Sequence, residues 1–249
     1  MKEDTEGPRY RQIARVLRTE IEENLHPGDL IGTETELEQR FQVSRITIRR
    51  AIDELVHAGL LLRRQGSGTF VAPPKVSQEL GMPHSWTESM RNLGLLPRTV
   101  DCEMLQVIPP AWVKKALSID TTLSEPVLRI QRLRYANEEP LSLMVDYLRQ
   151  HFVADLIEKG LEGESLYDTL EKRYGLELAR AEDTVSARGA TLFEARLLGV
   201  TEGDPVLYVT RVMYLSTNEP LSAATVVSRA DRYEYRVSGY PRRQGTLDL

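Results

Sequence analysis

Apolar residues recur at helical spacing through the first part of the chain. Tyr10, Ile13, Ala14, Leu17 and Ile21 mark one face of a helix that Pro27-Gly28-Asp29 ends. Thr33-Glu34-Thr35-Glu36 has capping-box spacing, with threonine at the N-cap and glutamate three residues later. A short helix carrying Leu37 and Phe41 is therefore predicted there. Gln42-Val43 leaves only a tight connection to the next helix, for which Ser44 is the expected N-cap. In that helix Ile48, Ala51, Ile52 and Leu55 form a buried stripe at i, i+3, i+4 and i+7, and Gly59 fits the C′ position. Leu60–Val71 reads as a basic hairpin with Gly66-Ser67-Gly68 at its tip. Three helices with so short a turn between the last two, plus a hairpin, predict a winged helix-turn-helix.

The pattern changes after Ala72-Pro73-Pro74-Lys75, where two prolines argue for a semi-rigid linker. The remainder is mixed helix and strand and contains an internal repeat. Glu125–Tyr135 resembles Asp204–Tyr214, and each copy runs on to a turn and a Glu-Pro-Leu-Ser segment, at Glu139–Ser142 and Glu219–Ser222. Each copy reads as strand, turn, strand. Short helix-like segments precede them, around Trp112–Leu117 and Leu192–Leu198, and a further helix around Ser165–Tyr174 joins them. Two pseudo-equivalent halves sharing one antiparallel sheet are expected. The fold class is therefore α+β in two domains: 8–72 the winged helix-turn-helix, 73–80 a linker, and 81–240 the second domain.

Charge sharpens the first half. The 249 residues carry a net charge of −5, which at first argues against a polyanionic partner. Residues 1–75, however, hold 12 Lys+Arg and 12 Asp+Glu, whereas 76–249 hold 20 and 25. Between positions 45 and 64, five arginines face only Asp53 and Glu54. Where the cations sit matters more than their sum. Arg45, Arg49 and Arg50 fall opposite the apolar stripe with Ile46, and Thr47 lies on the flank. Arginine there can fork onto guanine O6 and N7. The alternative is a solvated charged face.

In the second half, Arg132 and Arg134 are two apart on a predicted strand and share a face. The other copy keeps Arg211 but has Met213 in place of the second arginine. Such a pair suits an anionic ligand. Two surface arginines paired with Asp or Glu are the simpler reading from the residues alone.

Hydrophobic content of 41% suits a packed core, and no apolar run is long enough for a membrane span. Met1–Arg11 lacks the apolar region of a signal peptide. Cys102 is the only cysteine, which excludes an intrachain disulfide and fits a cytoplasmic setting. His26, His57, His84 and His151 are scattered without metal-ligand spacing, and no GxSxG element or phosphate-binding glycine loop occurs.

Tyr10-Arg11-Gln12-Ile13-Ala14, Pro27-Gly28-Asp29, Thr33-Glu34, Val43–Ala51 and Arg63–Val71 resemble the DNA-binding domain of the GntR family, continuously over residues 8–72. The second half resembles the UTRA effector-binding domain of the HutC subfamily. The matching pieces are Trp86–Met90, Arg132-Leu133-Arg134, Glu139-Pro140-Leu141, Ser165-Leu166-Tyr167, Leu197–Val200 and Arg229–Tyr233. The resemblance implies a chorismate-lyase-like fold and a bacterial homodimeric repressor. Such a repressor is released from an inverted-repeat operator on double-stranded DNA by a small metabolite. It needs no cofactor, metal or membrane.

The resemblance also carries site positions. For DNA they are Thr33, Thr35, Ser44, Arg45, Thr47, Arg49, Gln65 and Gly66, to which the charge pattern adds Arg50. Thr35 stands where the family usually has arginine, and Gly32 where it often has proline. For the effector the positions are Trp86, Thr87, Arg132, Arg134, Ser165 and Tyr167. Ser222 and Ser228 stand where amino-sugar-phosphate sensors have Glu and Tyr. An anionic effector is thus implied, with sugar phosphates, phosphonates, carboxylates and acyl ligands all open. A chorismate-lyase-like enzyme fused to a DNA-binding domain is the alternative reading, and an effector-free architectural DNA binder a third. Thermal-shift titration of metabolites, with and without DNA, separates the three.

Threonine is too short to reproduce a two-pronged arginine contact. Thr35→Arg is expected to sharpen preference for guanine at one operator position. Binding-site selection on both proteins checks this, and identical selected sites would refute it.

Overall fold

The computed structural model describes residues 7–64, 68–73, 75–81, 85–120 and 125–237. These divide into two compact units, one running to Lys75 and including Ala230–Arg232, the other covering Val76–Arg229 and the segment from Tyr233.

In the first unit, α1 (Arg9–Asn24) buries Ile13, Ala14, Leu17 and Ile21, the stripe read from spacing. It stops ahead of the proline, at an extended Leu25. α2 (Glu34–Phe41) starts in a complete capping box. The Thr33 N–H donates to Glu36 Oε2 at 2.7 Å and the Glu36 N–H to Thr33 Oγ1 at 3.2 Å. Gln42, left-handed at φ 51°, turns the chain into α3 (Arg45–His57). Ser44 occupies the N-cap of α3, but its hydroxyl meets Thr47 Oγ1 at 3.0 Å and caps no backbone N–H. Ile48, Ala51, Ile52 and Leu55 join the α1 stripe and Leu37 in one core.

The hairpin consists of β1 (Leu61–Arg64) and β2 (Gly68–Val71), paired from Leu61↔Val71 to Arg64↔Gly68. Sequence pattern missed its third edge. Leu30 bridges Phe70, the Val71 N–H donates to Asp29 O and the Ile31 N–H to Thr69 O. Gly68 sits at φ +121°, and a Cβ there would lie 2.8 Å from Leu30 Cδ1. The glycine is thus needed where the added edge crosses β2. Gln65 and Gly66 lie outside the described residues.

The second unit is built on a six-stranded antiparallel sheet. Its elements are β3 (Val76–Glu79), α4 (Trp86–Asn92), β4 (Pro97–Val107), α5 (Ala111–Ala116), β5 (Val127–Ala136), β6 (Glu139–Arg149), α6 (Leu156–Lys159), α7 (Leu166–Tyr174), β7 (Leu178–Gly189), α8 (Leu192–Leu198), β8 (Pro205–Leu215), β9 (Pro220–Arg229) and β10 (Tyr233–Arg236). The strand order is β4-β5-β6-β9-β8-β7. The repeated segments are the two inner hairpins, β5–β6 and β8–β9, joined where β6 pairs with β9. Equivalence extends to the irregularities, because the register shifts at Arg134/Tyr135 in one copy and Met213/Tyr214 in the other.

Alternation along the strands separates two faces. Leu128, Ile130, Leu148 and Met213 pack with Leu166 and Leu170 of α7, and Met144 packs with Trp86 and Met90 of α4. On the opposite face Leu133, Leu143 and Val227 pack with Ala195 and Leu198 of α8, and Val127 and Ala223 with Val113 and Leu117 of α5. Val76–Glu79, within the segment expected to be a linker, instead forms a parallel pair with β10. No helix among the described residues is long and apolar enough to cross a membrane.

Ile52 is 1% exposed, whereas Ile46, six positions earlier on α3, is 69% exposed. Ile52→Ala should cost about 2–5 kcal/mol in denaturant unfolding, the usual result of a large-to-small core change. Ile46→Ala should stay within about 0.5 kcal/mol of the parent.

Candidate functional sites

The first candidate site is the polar side of α2 and α3. Thr33, Thr35, Ser44, Arg45, Arg49 and Arg50 are exposed and Thr47 is half-buried, so all the described residues expected to meet DNA are reachable. One organising residue was missed by sequence reasoning. Glu34, in the first turn of α2, accepts from Arg45 Nε at 2.5 Å and from Arg49 Nε at 2.9 and 3.1 Å. Partial burial pushes the Glu34 carboxyl up, but the hydrogen bonds from Arg45 and Arg49 outweigh it and hold the group below its ordinary value. Its capping-segment position signalled a helix start and said nothing about a partner eleven and fifteen residues away.

The second site is a partly open cavity on the α4/α7 face of the sheet. Its floor follows from strand register. Arg132 lies opposite Met144, which lies opposite Val226, and that opposite Val209. The adjacent row runs Asp146, Ala224, Arg211 and Asp183. The cavity thus lies over a largely apolar strip with charged groups at both sides. Its roof brings together the starts of two helices. Ser85 caps α4 and Ser165 caps α7, and their hydroxyls meet at 3.0 Å. Trp86, Thr87, Ser165 and Tyr167, all expected at an effector site, line it with Arg132 and Arg134.

The arginines are not surface groups. Arg132 is 6% exposed and Arg134 is 1% exposed. Arg132 does have a carboxylate partner, with Nη2 donating to Asp146 Oδ2 at 2.6 Å. Arg211 is held similarly, through two hydrogen bonds of 2.6 and 2.8 Å to Asp183. Arg134 is different. It donates to the Thr99 hydroxyl, to the Glu164 carbonyl at 2.8 Å and to the Thr87 hydroxyl at 2.7 Å, and stacks over Trp86. Among the described residues no carboxylate lies within ion-pair distance of it. Burial, then the neighbouring Arg132 charge, push its guanidinium down to about 9. The Nε groups of Arg132 and Arg134 are buried without an acceptor among the described residues. Burial also pushes the Tyr167 phenol up, which keeps it a neutral hydroxyl.

Ser222 and Ser228 do not line the cavity. Ser228 sits at the next row, hydrogen-bonded to Ser142 at 2.7 Å. Ser222 lies between Leu148 and Met213 in the apolar row beneath α7. Conversely, Asp146, Gln78, Ser85, Tyr235 and Arg211 line it without having been expected to. Arg211 alone had a visible signal, as the repeat counterpart of Arg132.

A winged helix-turn-helix in one unit and a cavity lined by polar and charged groups in the other define a DNA-binding regulator that senses a small molecule. Comparison with known proteins gives the family. Residues 9–71 match the model for bacterial regulatory proteins of the gntR family, and residues 93–234 match the UTRA domain. The chain is 32% identical over 231 residues to the transcriptional repressor NagR of Bacillus subtilis, covering 92% of this chain and 93% of the relative. It is 29% identical over 233 residues to the transcriptional regulator GmuR of the same organism, covering 90% and 95%. The crystal structure of PhnF from Mycobacterium smegmatis superimposes with a TM-score of 0.63 at 25% identity, covering 94% of this chain and all of that one. The chain belongs to the GntR family, in its HutC-type branch with a UTRA domain, and is a transcriptional regulator and not an enzyme.

Replacing buried charges by well-packed apolar groups of similar volume is often neutral or stabilising, whereas removing one member of a buried pair strands the other. Arg134→Met should therefore melt no lower than the parent without ligand. Asp146→Ala should cost about 3–5 kcal/mol, because Arg132 then loses its counter-charge. Equilibrium unfolding of the two variants checks both directions.

Proposed function

We propose that the chain is a repressor that binds an inverted-repeat operator as a homodimer and is released by a small anionic metabolite held in the sheet cavity. The observation that carries the reading is Arg134, a buried cation whose hydrogen-bond partners among the described residues are all neutral, beside a second guanidinium whose Nε also has no acceptor among them. Three arginines and two aspartates face one another across this part of the sheet, and the exposed Glu164 carboxylate acts on Arg134 only from beyond ion-pair distance, which leaves a direct counter-charge to Arg134 to be supplied. A phosphate, phosphonate or carboxylate supplies it through charge-assisted hydrogen bonds. Ser165 and Tyr167, at the start of α7, offer hydroxyls to the same group, and Trp86 and Thr87 would close over it.

The DNA half of the reading rests on the exposed Arg45, Arg49 and Arg50 with the neighbouring threonines. Gln65 and Gly66 would complete it from the hairpin tip. A two-fold dimer presents two such helices, which is why the operator is expected to be an inverted repeat. Release follows only if the metabolite binds the DNA-competent and the incompetent arrangements of the dimer with different affinity.

An operator recovered from random DNA by binding selection makes the test. Arg45→Ala or Arg49→Ala should cost about 1–3 kcal/mol on that site. Anionic metabolites are screened by thermal shift, and calorimetry on Arg132→Ala and Arg134→Ala then reads effector affinity. Both variants should lose the effector yet keep operator binding, which ligand no longer relieves. Normal effector binding by both would place the effector elsewhere. Equal affinity of the parent for selected and scrambled DNA would remove the DNA reading.

A further inference from the structure

We propose that Glu34 is a specificity-determining residue for DNA: it aims the Arg45 and Arg49 guanidiniums at base edges and discounts their attraction to phosphate. The inference rests on the reading that these two arginines meet DNA. It adds a carboxylate that the charge pattern passed over and that the family resemblance, though it includes Thr33-Glu34, gave no part in DNA contact.

The geometry has two parts. Glu34 takes the Nε of each arginine, Arg45 at 2.5 Å and Arg49 at 2.9 Å. Neither arginine's terminal Nη groups donate to any acceptor among the described residues. An arginine held at Nε has its planar fork fixed while the two Nη groups stay open. Those are the atoms that meet guanine O6 and N7 in a bidentate contact. The two arginines are one helical turn apart, so a single carboxylate fixes both forks on one side of α3. Glu34 is itself anchored, because α2 begins at Thr33 in a closed capping box.

Charge supplies the second part. Arg45 and Arg49 are 61% and 56% exposed at their side chains, Glu34 only 24%. The arginines reach solvent while the carboxylate sits behind them, so the face presents two guanidiniums with the net charge of one. Phosphate attraction depends on that net charge. A base contact depends on donor geometry. Glu34 therefore weakens sequence-independent binding while favouring the directed contact. The same pairing occurs nearby, where Arg63 meets Asp53 at 2.5 Å and Arg40 meets Glu20 at 2.9 Å. Glu34 differs in holding two arginines at once.

Glu34→Gln keeps the size and helix propensity of the residue and removes the charge. Binding of the full-length parent, Glu34→Gln, Glu34→Ala and Glu38→Gln is measured on the selected operator and on scrambled DNA across a salt series. Circular dichroism and melting show that each is folded. For both Glu34 variants the operator-to-scrambled affinity ratio should fall at least tenfold. Affinity for scrambled DNA should rise, and its slope against log salt should steepen by about one. Glu38→Gln removes a nearby charge that makes no such hydrogen bond, and its ratio should stay within about twofold of the parent. An unchanged ratio in Glu34→Gln and Glu34→Ala would overturn the proposal, as would an equal loss in Glu38→Gln, which would make it a general charge effect. Arg45→Ala and Arg49→Ala, run alongside, separate the two levels. If they leave operator affinity intact, the arginine reading itself fails. If they abolish it while the Glu34 ratio holds, only this inference fails.

Discussion

Three guanidiniums buried in one face of a β-sheet, balanced by two carboxylates, set the terms for the ligand-binding unit. Removing a cation from water costs several kcal/mol even after relaxation, and a paired carboxylate recovers much of that. Arg132 and Arg211 have such partners in Asp146 and Asp183. Arg134 has hydroxyls, a carbonyl and the face of Trp86. Those contacts satisfy donors without cancelling charge. Arg134 therefore keeps an electrostatic cost that its neutral hydrogen-bond partners do not cancel.

The scaffold keeps that arrangement fixed. Each charged residue projects from a paired strand, and its place in the row is set by backbone pairing, on both sides for Asp146 and Arg211 and through β8 alone for Asp183 on the edge strand β7. The repeated hairpins place arginine at equivalent positions, Arg132 and Arg211. Two residues on, the copies differ, with Arg134 in one and Met213 in the other. One end of the cavity became cationic, while Met213 went into the apolar packing beneath α7. A pseudo-symmetric fold thus carries an asymmetric site on a common register.

The DNA-binding unit handles charge in the opposite manner. Its arginines stay at the surface, where desolvation costs little, and several are paired in the free protein. Exposed pairs of this kind contribute little to stability. They bear instead on what each guanidinium can do when a polyanion arrives. The core beneath, from Ile13 to Val71, is apolar and independent of these pairs.

Local chemistry was sufficient to reveal the helices, the capping box at Thr33 and Glu36, and the duplicated hairpins, because each depends on residues close together in sequence. The shared face of Arg132 and Arg134 was legible for the same reason, as was their likeness to a family's effector site. The edge strands β4 and β7 were not, since both are largely exposed and polar and carry no clean alternation. Leu30 and Ile31 were missed because a two-residue edge has no period of its own. That Arg132 and Arg134 are buried, that Asp146 and Arg211 belong with them, that Ser222 does not, and that Glu34 spans two arginines were decided only in three dimensions. Spacing along the chain fixes which side of a strand or helix a residue occupies. What it meets there depends on register across neighbouring strands and on how helices pack, and those are set by pairings distant in sequence.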